Sequence, residues 1–251
     1  DLAVHSAKDM PVSLPEGLVI SALSEREDPG DVLILPKTAS KTDKKELVIG
    51  TSSPRRQLQI REQWQSICGS TKWLDKESRP VCVTLRGNVQ TRLKKLKEGA
   101  CDGILLAAAG LKRLGIEEGE EWRFIRLSPE QFLPAGGQGI LAVETKADTE
   151  AHRLCSQIDC RSSRLCLTAE RSVLETLQAG CHAPVAVYAN LFEEDGETKL
   201  RLRGINGPEH ASQLTDAELK NKIRRVDLCG TLSEISVTTL ADQAGKGLLW
   251  P

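Results

Sequence analysis

No stretch of the 251 residues approaches the roughly 18 consecutive apolar residues that a membrane-spanning helix requires. The N-terminus also lacks the basic flank and apolar core of an export signal. No membrane partner and no secretion are expected, which points to the cytoplasm. The chain starts at Asp1, directly in the apolar run Leu2-Ala3-Val4, without an initiator Met, so it is expected to be a fragment; import into an organelle stays open for the same reason. Charge of either sign is not in excess: 34 Lys and Arg stand against 35 Asp and Glu, a net charge of -1. Nucleic-acid binders usually need a clear basic excess to displace counterions, so no nucleic-acid partner is expected and any anion site must be local.

Other absences narrow the chemistry. The eight cysteines (Cys68, Cys82, Cys101, Cys155, Cys160, Cys166, Cys181, Cys229) are dispersed and lack the paired two-residue spacing of zinc ribbons. The cluster of Cys155, Cys160 and Cys166 with His152 runs into a stretch that reads as helix, so reduced thiols and no metal are expected. No glycine-rich stretch ends in Gly-Lys-Ser/Thr, which disfavours a nucleotide. No Gly-x-Ser-x-Gly elbow is present, and His5 and Ser6, adjacent on a strand, point to opposite faces; a serine hydrolase is rejected. Internal repeats and low-complexity tracts are lacking too.

What is present is the composition of a globular chain, 39% hydrophobic and 27% charged, long enough for two or three small cores. Short apolar runs alternate with helical stretches, the pattern of a parallel sheet with crossover helices. Three such units are expected: a strand over 2–5 with a polar turn at 6–9; a strand over 46–49, then Gly50-Thr51-Ser52-Ser53 and a helix over 54–64; a strand over 81–85, then Arg86-Gly87-Asn88 and a helix over 89–97 that Gly99 ends. Residues 103–107 suit a strand buried on both faces, and 111–115 a short helix with its stop. Residues 66–80 read as a surface loop. The three glycines in 133–139 precede a strand over 140–144 and mark a place where the chain can cross between domains or approach a ligand. A helix over 162–177 leads to Cys181 in a loop, and strands over 185–191 and 199–203 flank the hairpin signal Glu194-Asp195-Gly196, giving a smaller α+β domain.

In open parallel sheets, ligands gather beyond the carboxyl ends of the strands. Thr51, Ser52 and Ser53 supply hydroxyls at a helix N-terminus, Pro54 suits the first helical position, and the free N–H groups there attract an anion. Arg55 and Arg56, with Arg86, Arg92 and Arg113, offer guanidinium forks that match a carboxylate, or else lie on solvated helix faces as most arginines do. Lys94, Lys95 and Lys97 read as a solvated face. Asp9, beside Lys8, is either a cap or ion-pair partner, or a carboxylate that stabilises a developing cation. Cys181 sits in a Gly-Cys-His-Ala-Pro loop, where a thiol is more exposed than in a core.

Taken together and in order, VHSAKDMP (4–11), EREDP (25–29), GTSSPRR (50–56), LRGNVQTR (85–92), AAGLKRLG (108–115), GQG (137–139), AER (169–171) and Gly180-Cys181 resemble the porphobilinogen deaminase (hydroxymethylbilane synthase) family along nearly the whole chain. The resemblance implies three α/β domains: two lobes like those of periplasmic binding proteins, with mixed sheets, and a small α+β C-terminal domain. Their expected extents are 1–27 with 140–157, 30–134, and 160–251, with crossing segments near 25–32 and 133–140. It further implies a transferase that joins four porphobilinogen molecules into hydroxymethylbilane with loss of ammonia, on a dipyrromethane cofactor held by a thioether to Cys181.

By the same resemblance Asp9 is the catalytic residue, which hydrogen-bonds pyrrole N–H groups and steadies the cationic azafulvene. Lys8, Arg55, Arg56, Arg86, Arg92 and Arg113 hold acetate and propionate arms, supported by Ser6, Thr51, Ser52, Ser53, Gly87, Asn88, Gln138 and Gly139. Family members are commonly monomers. The sequence departs from the family in Gln178-Ala179-Gly180 where Glu-Gly-Gly is usual, in Pro54 for leucine, in a longer 66–80 segment, in a short C-terminal helix and in a missing N-terminal part. For that last reason the chain alone is expected to be poorly active. The alternative reading is a non-catalytic carboxylate- or anion-binding protein of the periplasmic-binding type.

Overall fold

The computed structural model describes residues 1–38, 44–179, 183–208, 210–232 and 236–250, so Cys181 lies outside the described residues. In chain order the elements begin β1 (Leu2–Ser6), β2 (Leu18–Leu23), β3 (Asp31–Pro36), β4 (Glu46–Gly50), α1 (Pro54–Gly69), β5 (Arg79–Val83), α2 (Val89–Lys97), β6 (Gly103–Ala107), α3 (Ala108–Arg113) and β7 (Trp122–Leu127). They continue with β8 (Leu141–Lys146), α4 (Glu150–Cys155), α5 (Arg161–Thr176), β9 (Val185–Glu194), β10 (Glu197–Asn206), α6 (Asp216–Lys222), β11 (Arg224–Thr231) and α7 (Val237–Leu248). Two compact units divide the chain: one holds Asp1–Pro29, Leu133–Asn206 and Arg224–Pro251, the other Gly30–Phe132 and Gly207–Ile223.

The second unit is built on a five-stranded mixed sheet in the order β5-β4-β6-β3-β7, with β5, β4 and β6 parallel and β3 antiparallel to both its neighbours. Strand alternation feeds two cores. Leu33 and Leu35 face α1 with Ile60, Trp64 and Phe132, whereas Val32 and Ile34 pack with Leu93, Leu96 and Leu111 from α2 and α3. Burying such a side chain contributes about 1.5–3 kcal/mol, and β3 and β6 are buried on both faces, as their unbroken apolar runs require. Helix α1 has Pro54 at its start and runs on to Gly69, past the expected end.

The expected surface loop over 66–80 is therefore corrected. Its first residues are helical, Leu74 is 3% exposed in the α1 core, and the Trp64 indole donates to the Ser78 carbonyl at 2.8 Å. Trp73 packs against the same core beneath the Arg123 guanidinium, 3.3 Å from its ring centroid.

The first unit also departs from the parallel pattern. Its sheet β1-β8-β2 is antiparallel throughout, because β1 and β2 each pair with β8. The link between β1 and β2 is a single 3-10 turn and an irregular stretch rather than a crossover helix, and the late strand β8 enters between them. Ala7, Met10, Leu23, Ile140 and Ala142 form its core with Leu167 of α5. In the C-terminal part, α5 and α7 cover one face of the antiparallel sheet β11-β10-β9. Asp195 (φ 56°) and Gly196 (φ 78°) close the β9–β10 hairpin as a two-residue turn with both positions left-handed, which matches the twist of the strands.

Candidate cofactor-binding and catalytic site

In the second unit, the turn between β4 and α1 places Thr51 in the interior at 1% exposure, where its hydroxyl accepts the Ser53 N–H at 3.2 Å. Ser53 is the N-cap, yet its side chain makes no capping bond, and among the described residues the Ser52 and Ser53 hydroxyls have no partner. The turn thus presents hydroxyls and the positive end of a helix of 16 residues.

Arg55 and Arg56 are not offered outward as forks. They are 4% and 6% exposed, and both close on the buried Asp31 carboxylate, Arg55 Nη2 to Oδ2 at 2.8 Å and Arg56 Nη2 to Oδ1 at 2.7 Å, while Arg56 Nη1 donates to the Leu105 carbonyl. Two cations on one anion leave a net positive centre. Burial alone would raise the Asp31 carboxyl, but the two guanidiniums outweigh it and hold the group far below the carboxylate range. Burial lowers Arg55, and at Arg92 burial and then the charge of Arg56 act in the same direction.

The turn after β5 behaves differently. Asn88 caps α2 by accepting the Thr91 N–H at 2.8 Å, and Arg92 Nε donates to the Gly87 carbonyl at 2.7 Å, which folds Arg92 back over its own turn. The Arg86 carbonyl accepts Lys95 Nζ at 3.1 Å, while its exposed guanidinium has no partner among the described residues. Arg113 is exposed at the last residue of α3.

In the first unit, Asp9 ends the 3-10 turn Ala7–Asp9, exposed and without a hydrogen bond or ion pair among the described residues. Ser6 and Lys8 are half-buried beside it. The turn is fixed from behind: Ala7 N–H donates to the Ile140 carbonyl at 3.0 Å, and Gly137 packs so closely that an added Cβ would lie 3.0 Å from the Ala7–Lys8 peptide. Arg171 Nη2 holds the Pro11 carbonyl at 2.6 Å and also the Val12 carbonyl. Gln138 is 1% exposed and donates to the Pro29 carbonyl at 2.6 Å, and the Gly139 carbonyl accepts the Glu27 N–H at 3.1 Å. His5 pairs with Glu144 at 2.7 Å rather than with a serine.

Three residues that sequence reasoning gave no role prove central: Asp31, Arg26 and Glu170. Glu170 is 0% exposed and shares the buried stripe of α5 with Cys166, Leu167 and Val173. An acid at an apolar-stripe position, like an acid opening the apolar strand β3, is the signal that could have found them. Among the remaining thiols, burial pushes Cys68, Cys82 and Cys166 up to about 11, whereas the Ser162 hydroxyl, 3.2 Å from its sulfur, favours the Cys160 thiolate.

These features define a class: a multidomain α/β protein with one unit carrying a cationic, hydroxyl-lined strand end and the other an exposed, rigidly backed carboxylate. The family model described as porphobilinogen deaminase, dipyromethane cofactor binding domain, matches residues 1–153, and that of the porphobilinogen deaminase C-terminal domain matches 164–234. Relatives named porphobilinogen deaminase include that of Laribacter hongkongensis, 39% identical over 92% of this chain and 69% of the relative, and that of Brevibacillus brevis, 40% identical over 99% and 74%. Porphobilinogen deaminase 1 of Streptomyces coelicolor is 41% identical over 85% and 64%. Likeness to solved structures is slight and defines nothing by itself: a periplasmic sulfonate-binding protein from Methylobacillus flagellatus gives a TM-score of 0.26 at 19% identity, covering 62% of this chain and 41% of that one.

The chain belongs to the porphobilinogen deaminase family. It is a transferase of tetrapyrrole biosynthesis with a dipyrromethane cofactor, and it joins porphobilinogen units into hydroxymethylbilane with release of ammonia. The reading as a non-catalytic anion-binding protein is set aside. Among the described residues no helix is long and apolar enough to cross a membrane.

Proposed function

We propose that Asp9 is the catalytic carboxylate of this transferase and that Cys181 carries the dipyrromethane through a thioether. The observation that carries this reading is the state of Asp9, which is exposed, unpartnered among the described residues, and held on a turn backed by Ile140 and Gly137 and followed by a segment that Arg171 grips. A carboxylate so placed is free to accept pyrrole N–H groups and to lower the energy of the positive charge that develops when ammonia leaves, which is electrostatic and proton-transfer catalysis.

The donor set of the second unit suits a ligand rich in carboxylates. Arg86, with an open guanidinium, and the uncapped hydroxyls of Ser52 and Ser53 grip acetate and propionate arms through charge-assisted hydrogen bonds. Arg55 and Arg56, fixed by Asp31, supply positive field; Thr51, Gly87, Asn88 and Arg92 shape the two turns; Lys8 and Arg113 add cations. Ser6 leads from β1 into the Asp9 turn, and Gln138 and Gly139 hold the neighbouring 27–29 segment. When bound, the dipyrromethane supplies the primer pyrrole that is extended. In this reading residues 1–27 with 140–157, 30–134, and 160–251 act as three domains, the first two as lobes of the periplasmic-binding kind, in a cytoplasmic monomer.

Intact mass after expression in a haem-making host tests the attachment: the chain gains two pyrrole units, and Cys181→Ser gains none. Asp9→Asn keeps the cofactor but loses about 10²–10⁴ in kcat. A Cys181→Ser protein that still carries the pyrroles, or an Asp9→Asn enzyme of unchanged kcat, would overturn the respective assignment.

A further inference from the structure

Strands β10 and β11 pair directly up to Asn206 and Arg224, yet the 17 residues Gly207–Ile223 stand between those two partners. Two residues suffice to close such a pair, as Asp195 and Gly196 do between Glu194 and Glu197 at the other end of β10. Connections beyond about 12–15 residues are uncommon in compact domains and usually carry a function. The extra length does not serve the sheet: β10 and β11 belong to the first unit, whereas Gly207–Ile223 packs within the second. The chain thus enters the second unit and returns inside a single hairpin, besides its crossings between Pro29 and Gly30 and between Phe132 and Leu133.

The excursion is an organised arm. Thr215 and Glu218 form a capping box that starts α6, and Leu219 of that helix is 0% exposed. At the root of the arm, Gly207 lies so close to α1 that an added Cβ would sit 2.7 Å from the buried Leu58 side chain. Further along, Arg61 of α1 donates to the Ala211 and Leu214 carbonyls and reaches the Asp216 carboxylate. Two of its partners are main-chain atoms, so Arg61 fixes the backbone of the arm rather than the tip of one side chain. Domains joined by linkers alone move relative to one another by default. An arm that starts and ends in the sheet of one unit and is fastened to a helix of the other removes part of that freedom.

We infer that Gly207–Ile223 is a tethering arm with Arg61 as its latch, and that release of the latch frees the two units to move against each other. In one variant of the full chain, Asp-Gly replaces Gly207–Ile223 and closes β10 and β11 as a tight hairpin. In a second, Arg61→Ala, the arm stays but loses its hold. Small-angle X-ray scattering gives a larger radius of gyration and a greater maximum dimension for both variants than for the parent, whereas Asp216→Ala, which keeps both carbonyl bonds, matches the parent. Trypsin, which cuts after Lys220 and Lys222, cleaves the arm about tenfold faster in Arg61→Ala than in the parent. Arg61→Ala decides the matter if the shortened chain does not fold. Scattering from a folded variant that superimposes on that of the parent, or an arm cut equally fast with and without Arg61, would overturn the inference. Both readouts report conformational freedom rather than turnover or cofactor attachment, so they stand apart from the roles of Asp9 and Cys181.

Discussion

Arg26 grips Glu170 through two parallel hydrogen bonds, Nη1 to Oε1 at 2.8 Å and Nη2 to Oε2 at 2.7 Å. Each Glu170 oxygen also accepts a backbone N–H, Oε1 from Ala189 at 2.8 Å and Oε2 from Gly137 at 2.7 Å, and Arg26 Nη1 reaches the Ala189 carbonyl. One buried carboxylate therefore joins β9, the glycine-rich segment behind the Asp9 turn, and residue 26.

Glu170→Gln leaves a buried guanidinium without its counter-charge, a change that costs about 3–5 kcal/mol. Guanidinium-chloride unfolding of the first unit should register that loss. The double variant Arg26→Met, Glu170→Leu recovers only part of it, because the Gly137 and Ala189 N–H groups remain without their acceptor. Since Gly137 backs the Asp9 turn, kcat falls in Glu170→Gln as well. Stability unchanged in the single variant would show that the pair is not needed for the fold.

Asp31 gives the second unit a pH dependence of known sign. Its folded carboxyl is held well below the unfolded value of about 3.9, so between the two the unfolded chain binds more protons than the folded one. The stabilisation is complete above the unfolded pKa and is lost as pH falls toward the folded one. Urea midpoints of this unit should therefore drop steeply below about pH 4. In Asp31→Asn the protein is less stable at neutral pH, and the gap to the parent narrows as the solution is acidified; a gap that stays constant would contradict the assignment.

Much of this was legible in the sequence because local rules governed it. Pro54 opens α1, Asn88 caps α2, and Asp195-Gly196 turns the hairpin, each by chemistry confined to a few neighbours. The antiparallel order β1-β8-β2 was not legible, since it depends on a strand some 140 residues from β1 entering the sheet. The site divides along the same line. Ser52, Ser53 and Asp9 could be recognised as open donors and acceptors in turns, whereas the inward closure of Arg55 and Arg56 rests on Asp31, which lies 24 and 25 residues earlier and looks in the sequence like the polar start of an apolar strand.

Arg61 anchors residues 211–216 onto α1, and its two kinds of partner can be separated by mutation. Nη1 and Nη2 donate to the Ala211 and Leu214 carbonyls, both at 2.7 Å, while Nε and Nη2 reach Asp216 Oδ1 at 3.1 and 2.8 Å. The Asp216 side chain is 65% exposed and that of Arg61 19%. Removing the solvated carboxylate in Asp216→Ala costs about 0–1 kcal/mol, but Arg61→Ala also strips two carbonyls and costs about 1–3 kcal/mol. Hydrogen exchange over 211–216 should accelerate in Arg61→Ala alone; equal acceleration in both variants would assign the anchor to the ion pair.

Gly139 and Gly17 separate backbone strain from close approach. Both are left-handed, at φ +91° and +80°, so alanine at either carries the conformational penalty of about 1–2 kcal/mol. At Gly17 nothing lies within 4 Å of an added Cβ, and the penalty ends there. At Gly139 the Cβ would sit 2.3 Å from the Glu27 carbonyl oxygen, a backbone atom that moves only if the 25–29 segment moves with it. That shift would break the Glu27 N–H to Gly139 carbonyl bond and strain the Gln138 contact to Pro29. Gly139→Ala should therefore unfold at distinctly lower denaturant than Gly17→Ala and lose kcat, while Gly17→Ala keeps its activity. Equal destabilisation in the two variants would mean that the 25–29 segment yields freely and does not brace the Asp9 side of the unit.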